Sequence, residues 1–408
     1  MELSVARKKK ITDASFHVLL NNRRVTDGHQ YTQPSPSTYP YQWLWDSCFH
    51  AIALSHFSPE DAKKELRSAV SQQFENGMLP HMIYWEPGTL VDIQWGREGK
   101  KRTSTITQPP LIAEAVWRIF EKDGDAAFLA EMYPALSSFY EYLLTARDPR
   151  GNHLAGIINP DESGEDNSPR FDDVLGLPPV QTLQENFKSR LKLVEELRNG
   201  HFDAPFMKQY FWVKDVPFNA ILVENLVVLG RIAGHLSKHE DALKFTEASR
   251  RVADAMRERM FDGDLFWPTY SESYFKVKLK TWAIFAPLYA GILSEDEAAK
   301  LVEEHLLNPS EFLSNFMLPT VAMNERTFDP QGFWRGPVWF ASNWFVYRGL
   351  LRYDYQNIAD RLLENSMELL EKSGFREYYH PDTGAGLGAH DFTWGALVVD
   401  MIGRNSRG

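Results

Sequence analysis

The chain has 408 residues, with 44 Lys+Arg against 55 Asp+Glu for a formal net charge of −11, and 13% aromatics including 12 Trp. That length allows two or three domains or one large closed architecture. The acidic balance argues against nonspecific nucleic-acid binding, no run of eighteen apolar residues supplies a transmembrane helix, and a single cysteine, Cys48, excludes a disulfide framework or a cysteine-rich metal site.

From the N-terminus, Arg7-Lys-Lys-Lys10 precedes a weakly apolar stretch that Asp13 and His17 interrupt, with no small-residue cleavage pattern. A secretory signal is not expected there, and one unpaired cysteine points to the cytoplasm. Helical periodicity then dominates, in two alternating kinds. Segments 43–57, 110–120, 216–236, 278–292, 337–351 and 392–402 are apolar and aromatic all round. Segments 59–74, 126–146, 240–260, 295–306 and 357–372 are charged with one apolar stripe. The first kind reads as buried and the second as surface helix. Six inner helices meet five outer ones, and a helix over 4–22 supplies the sixth outer partner. The expected fold is all-α, an (α/α)6 toroid made as one domain over 1–408. An open array of helical pairs would want polar terminal repeats, yet the last segment is among the most apolar.

Links from inner to outer helix are short. Links from outer to inner helix are long, at about 75–108, 147–215 and 307–336. Long connections in a compact domain are usually functional, and in this topology all of them gather on one face. The active site is expected there.

Four motifs sit on these links. Tyr39-Pro-Tyr-Gln-Trp43-Leu-Trp45-Asp46-Ser47 opens the first inner helix. Its flat indoles and adjacent carboxylate suit a sugar ring, which offers C–H faces for stacking and hydroxyls for charged acceptors. The alternative is core tryptophans with Asp46 or Ser47 as a helix cap. The most polar stretch carries Asp161, Glu162, Glu165, Asp166, Asp172 and Asp173. One such carboxyl against apolar walls can keep its proton and act as a general acid. A solvated acidic loop is the plainer reading, and the spacing does not fit a calcium loop. Gly332-Phe-Trp334-Arg335-Gly336-Pro337-Val-Trp339 precedes the fifth inner helix, with Pro337 suited to a first helical turn. Glu377, beside Tyr378 and Tyr379, reads equally well alone as an exposed loop glutamate. His50, His56, His81 and His235 lack partners at metal-ligand spacing, and no HExxH, CxxC, GxGxxG, P-loop or GxSxG pattern occurs. No metal or cofactor is expected. Carboxylate chemistry remains, and glycoside hydrolysis is the reaction class built on two carboxylates.

Taken together, the stretch from Tyr39 to Ser47, Gln108-Pro-Pro110, Glu162-Ser-Gly-Glu-Asp166-Asn-Ser-Pro-Arg170, Trp334-Arg-Gly-Pro-Val-Trp339 and Glu377-Tyr-Tyr-His-Pro-Asp-Thr-Gly384 resemble glycoside hydrolase family 63. The likeness is greatest to its short bacterial members that hydrolyse mannosylglycerate and glucosylglycerate. The resemblance implies an (α/α)6 barrel and an inverting mechanism, with Asp166 as general acid and Glu377 as general base. It places Tyr39, Trp43, Trp45, Asp46, Trp334 and Trp339 on the sugar pocket, and Tyr84 and Gln108 near the glycerate. Arg335 and Gly336 complete the candidate substrate-binding set. The family often carries Gln shortly before the last inner helix, where this chain reads His390-Asp391-Phe392. Arg97, Lys100, Lys101 and Arg102 are expected to bring donors to a substrate carboxylate. The expected partner is a small carbohydrate, without nucleic acid or membrane. Competing readings are a hydrolase of a neutral α-glucoside disaccharide, a sugar 2-epimerase on the same barrel, and a non-catalytic carbohydrate-binding protein. For an inverting enzyme the two carboxyls should stand about 6.5–9.5 Å apart, leaving room for a water.

Overall fold

A helix that is apolar on every side has to be buried, and the segment Val216–His235 obeys this. By length and hydropathy it would pass for a membrane span, but 89% of its apolar window is buried inside the protein. Its buried asparagines are satisfied: Asn219 donates to the Asp215 carbonyl, and Asn225 donates to the Ile221 carbonyl and accepts from the Glu114 amide.

In the computed structural model, which describes residues 5–86, 94–97 and 101–405, the α-helices of five residues or more follow the expected alternation with one addition, inside the connection 147–215. They are α1 (Val5–Asn21), α2 (Leu44–Leu54), α3 (Pro59–Val70), α4 (Ile112–Asp123), α5 (Ala126–Thr145), α6 (Leu183–Asn199) and α7 (Val216–His235). There follow α8 (His239–Met260), α9 (Ala286–Ala290), α10 (Glu295–Lys300), α11 (Phe340–Arg352), α12 (Gln356–Ser373) and α13 (Val398–Asn405). The inner-to-outer links are short as expected. The link between α4 and α5 is only Gly124, in the left-handed region at φ 70°, and Asp125, whose side chain caps α5.

Three departures have local causes. Segment 278–292 yields only a 3-10 turn, Trp282–Phe285, before the five-residue α9. Pro287 has no N–H to give the ladder, so an α-helix cannot run through from 278. The connection 147–215 is not structureless, because it holds α6 with a reciprocal capping box between Thr182 and Glu185. Pro337 lies outside the first turn of α11, which starts at Phe340, and its carbonyl instead accepts from the Thr320 amide and hydroxyl.

The chain divides into two compact units. The first comprises residues 1–40, 49–65 and 280–408. Within it α1 packs on α12 and α13, and Arg7 pairs with Glu364 and Glu371 of α12. The second comprises 41–48 and 66–279, where α7 packs against α8, α4 and α5. A small antiparallel sheet joins Gln42–Trp43, Met82–Ile83, Lys101–Ser104 and Gly96–Arg97 in that order. Both units carry candidate site residues.

Candidate active site

In the first unit Glu377 sits on the hairpin formed by Arg376–Tyr379 and Gly386–His390. Register shifts between Arg376 and Tyr378, so that Gly388 and Ala389 together face Glu377. Such a bulge re-aims one side chain. Gly388 adopts φ 64°, and a Cβ there would stand 2.4 Å from Glu377 Oε2. Only glycine meets both demands. The bulge turns the Ala389 N–H onto Oε2 at 2.8 Å, while the Tyr39 hydroxyl donates to Oε1 at 2.6 Å. Glu377 is 4% exposed, not the solvated glutamate its sequence context allowed. Each of its oxygens thus accepts a hydrogen bond, which holds the carboxylate in one orientation.

Beside it stands a column of rings. Trp334 and Trp339 stack face to face, with centroids 3.8 Å apart and planes 8° apart, and Tyr378 lies 5.0 Å beyond Trp339. The Trp339 indole N–H donates to the Phe333 carbonyl, which fixes the ring's rotation. Burial, reinforced by the Glu377 charge, pushes the Tyr378 hydroxyl up to about 12, so it stays neutral. Arg335 is buried. Gly336 has a steric role: a Cβ would lie 2.3 Å from the Asp329 carbonyl oxygen.

In the second unit most of the acidic stretch, the exposed Asp173 apart, is buried and paired instead of solvated. Glu162 pairs with Arg147, and Glu165 and Asp215 hold Arg170, all nearly or fully inaccessible. Asp166 differs, with its side chain 26% exposed and Oδ2 3.0 Å from an Arg190 nitrogen. Arg190, on α6, also binds Asp161 and receives a third anchor from Asn186. Asp161 is pushed up to about 6 by burial, against the pull of Arg190 and with the Asp166 charge adding to the rise. Gly164, at φ 76°, brings this loop onto Trp45, since a Cβ there would meet the indole at 2.3 Å. Gln108 accepts from the Trp45 amide at 3.1 Å, which ties Trp45, Gln108 and the Asp166 loop together.

Trp43 meets the ring of His81 edge-on at 5.0 Å. His81 Nδ1 bonds Ser104, whereas its buried Nε2 has no hydrogen-bond partner among the described residues. Burial and the Arg190 charge lower it to about 3, so it is neutral at ordinary pH. Tyr84 is buried edge-on to Tyr41. Asp46 is 3% exposed and lies inside the first turn of α2, not at its cap, and Ser47 there accepts from Gln42. Of the expected basic rim, Lys100 lies outside the described residues, as do the side chains of Arg97 and Lys101. Arg102 donates to the Trp85 carbonyl.

Arg190 and His81 are the site groups that sequence reading passes over. The signal for Arg190 was the Thr182-x-x-Glu185 box followed by a stripe at Asn186, Arg190, Leu193, Val194 and Leu197, all buried. A lone histidine gives no such signal.

Known proteins share this arrangement of chain. Residues 39–395 match the mannosylglycerate hydrolase MGH1-like glycoside hydrolase domain. A mannosylglycerate hydrolase of Thermus thermophilus is 33% identical, over 90% of this chain and 95% of its own length. A glucosylglycerate hydrolase of Mycolicibacterium hassiacum is 29% identical, over 91% and 94%. Crystal structures of the family 63 mannosylglycerate hydrolase from T. thermophilus superpose with TM-scores of 0.89 with Tris and 0.88 with Tris and D-glycerate, each at 32% identity over 97% of this chain and all of that one. The fold class is accordingly the (α/α)6 toroid. With its motifs in family order and a match spanning nearly its whole length, the chain belongs to the MGH1-like glycoside hydrolases of family 63.

Proposed function

We propose that this glycoside hydrolase cleaves a small anionic α-glycoside, mannosylglycerate or glucosylglycerate, to free hexose and glycerate with inversion. Asp166, once protonated and released from its ion pair with Arg190, gives its proton to the glycosidic oxygen as the C–O bond breaks, and Glu377 takes a proton from the water that attacks the anomeric carbon from the other side. Tyr39 and the Ala389 amide hold the base in orientation. The tryptophan column is suited to the C–H face of the hexose.

The observation that carries the substrate class is Arg190. A guanidinium with 7% side-chain exposure already grips Asp166, and it can share its donors with a carboxylate on the leaving group. The names of the relatives support the same class. A charge-assisted hydrogen bond in such a place contributes about 1.5–3 kcal/mol. Glucosylglycerol, which lacks the carboxylate, should therefore lose about tenfold or more in kcat/KM against glucosylglycerate, and Arg190→Met should erase that preference. Equal efficiency for the neutral and anionic glycosides in the unmodified enzyme would remove the glycerate assignment and leave the hydrolase reading standing.

Single displacement also fixes stereochemistry. From an α-glycoside the first hexose released should be the β anomer, which proton NMR reads before mutarotation. An α anomer appearing first would mean a covalent intermediate and a different role for Glu377.

A further inference from the structure

A cavity of about 310 Å³ lies within the second unit and contains none of the residues given roles above. It is bounded by the chain leaving α5, the chain entering α7 and the turn after α8, and its walls include Arg150, Lys208, Trp212, Lys214, Glu272 and Tyr274. Two ammonium groups lie over the Trp212 ring, with Lys208 Nζ 5.5 Å and Lys214 Nζ 5.3 Å from its centroid. Lys214 is buried and donates to the Leu154 carbonyl.

Among the described residues neither lysine has a carboxylate at ion-pair distance. Two acids, Asp148 and Glu272, also line the cavity, and both are engaged by other donors. Glu272 pairs with Arg150, and Asp148 accepts from the amides of Asn152 and His153. Arg259, which pairs with Glu258 at 3.7 Å, lies with its guanidinium 5.1 Å from the Tyr274 ring, and its buried Nε has no hydrogen-bond partner among the described residues.

The geometry points to a binding site for a phosphate group, free or carried as a phosphomonoester, with Lys208 and Lys214 meeting its oxygens and Trp212 facing the carbon skeleton. Two ammonium groups call for a dianion. An indole gives a flat apolar wall to whatever carries it. The electrostatics agree. Burial lowers Lys214 to about 8, opposed by Asp148 and reinforced by Lys208, Arg259 and Arg150; Lys208 is lowered by burial and then by Arg150. An anion between them reverses those repulsions, so its binding takes up protons and weakens as pH rises through about 8.

The test is thermal unfolding of the full chain at pH 7 and pH 9 with inorganic phosphate, glycerol phosphate, or sodium chloride at matched ionic strength. At pH 7 either phosphate should raise the Tm saturably above chloride, and the rise should shrink at pH 9. Lys208 is exposed, so Lys208→Met and Lys208→Glu should fold. The first should weaken binding about tenfold, as loss of one charge-assisted bond does, and the second should abolish it. Tighter binding of glycerol phosphate assigns the site to a phosphomonoester, and tighter binding of inorganic phosphate assigns it to the free ion. No saturable shift over chloride, or the same shift in Lys208→Glu, overturns the proposal. Because no residue of the hydrolytic reading is involved, that reading is unaffected by either result.

Discussion

Glu377→Gln is expected to lower kcat on the cleaved glycoside by about 10²–10⁴-fold, and Asp166→Asn by a similar factor, the range that general acid–base groups contribute. The glutamine is nearly isosteric, so the bulged hairpin should persist. Its amide, however, has one acceptor for two fixed donors, the Tyr39 hydroxyl and the Ala389 N–H. It can take no proton from water. Asparagine at 166 leaves Arg190 its second carboxylate, Asp161. The guanidinium therefore stays paired, and the loss isolates proton donation. Released hexose under saturating substrate gives kcat, and a urea midpoint unchanged from the parent shows that folding is intact. Retention of more than about a tenth of the parent kcat in either variant would reject the role proposed for that residue.

The second large effect is on stability. Arg147 and Glu162 are both completely inaccessible, and Glu162 also accepts from the amides of Thr107 and Ile158. Arg147 in turn donates to the Tyr142 hydroxyl and the Gly156 carbonyl. Removing one partner strands the other charge out of water, which costs about 3–5 kcal/mol. Glu162→Gln should lower unfolding stability by that amount in urea titrations at pH 7. Arg147→Met should do the same, because it leaves the carboxylate uncompensated. The two losses should not add in the double variant, since the stranded charge is then gone and the glutamine oxygen still accepts from one of the two amides. Additive losses would mean that the pair is not coupled.

Much of the helical frame is legible because its signal is local. An all-round apolar run such as 216–236 has to be core, and a striped run such as 240–260 has to lie on its surface. Segments that fail this reading fail for stated reasons: Pro287 truncates α9, and α6 hides in a stretch whose charged composition resembles a loop. The site is legible only as motifs. Nothing near Glu377 in the chain announces its burial, which depends on Gly388 in the opposite strand and on Tyr39, 338 residues away. Likewise the acidic stretch reads as solvated until arginines from 147 and 190 are folded against it. Pairings of that range have no signature in a single sequence. Composition foretold the aromatic surfaces, and only coordinates disclose which rings stack.

The parallel pair formed by Trp334 and Trp339 has an optical consequence. Two indoles 3.8 Å apart and 8° from parallel act as one coupled chromophore, so their electronic transitions mix and split. The splitting should give a circular-dichroism band that disappears in Trp334→Phe or Trp339→Phe. Because Tyr378 extends the same stack from the residue beside Glu377, that band offers a label-free signal in which occupancy beside the carboxylate can be followed in real time.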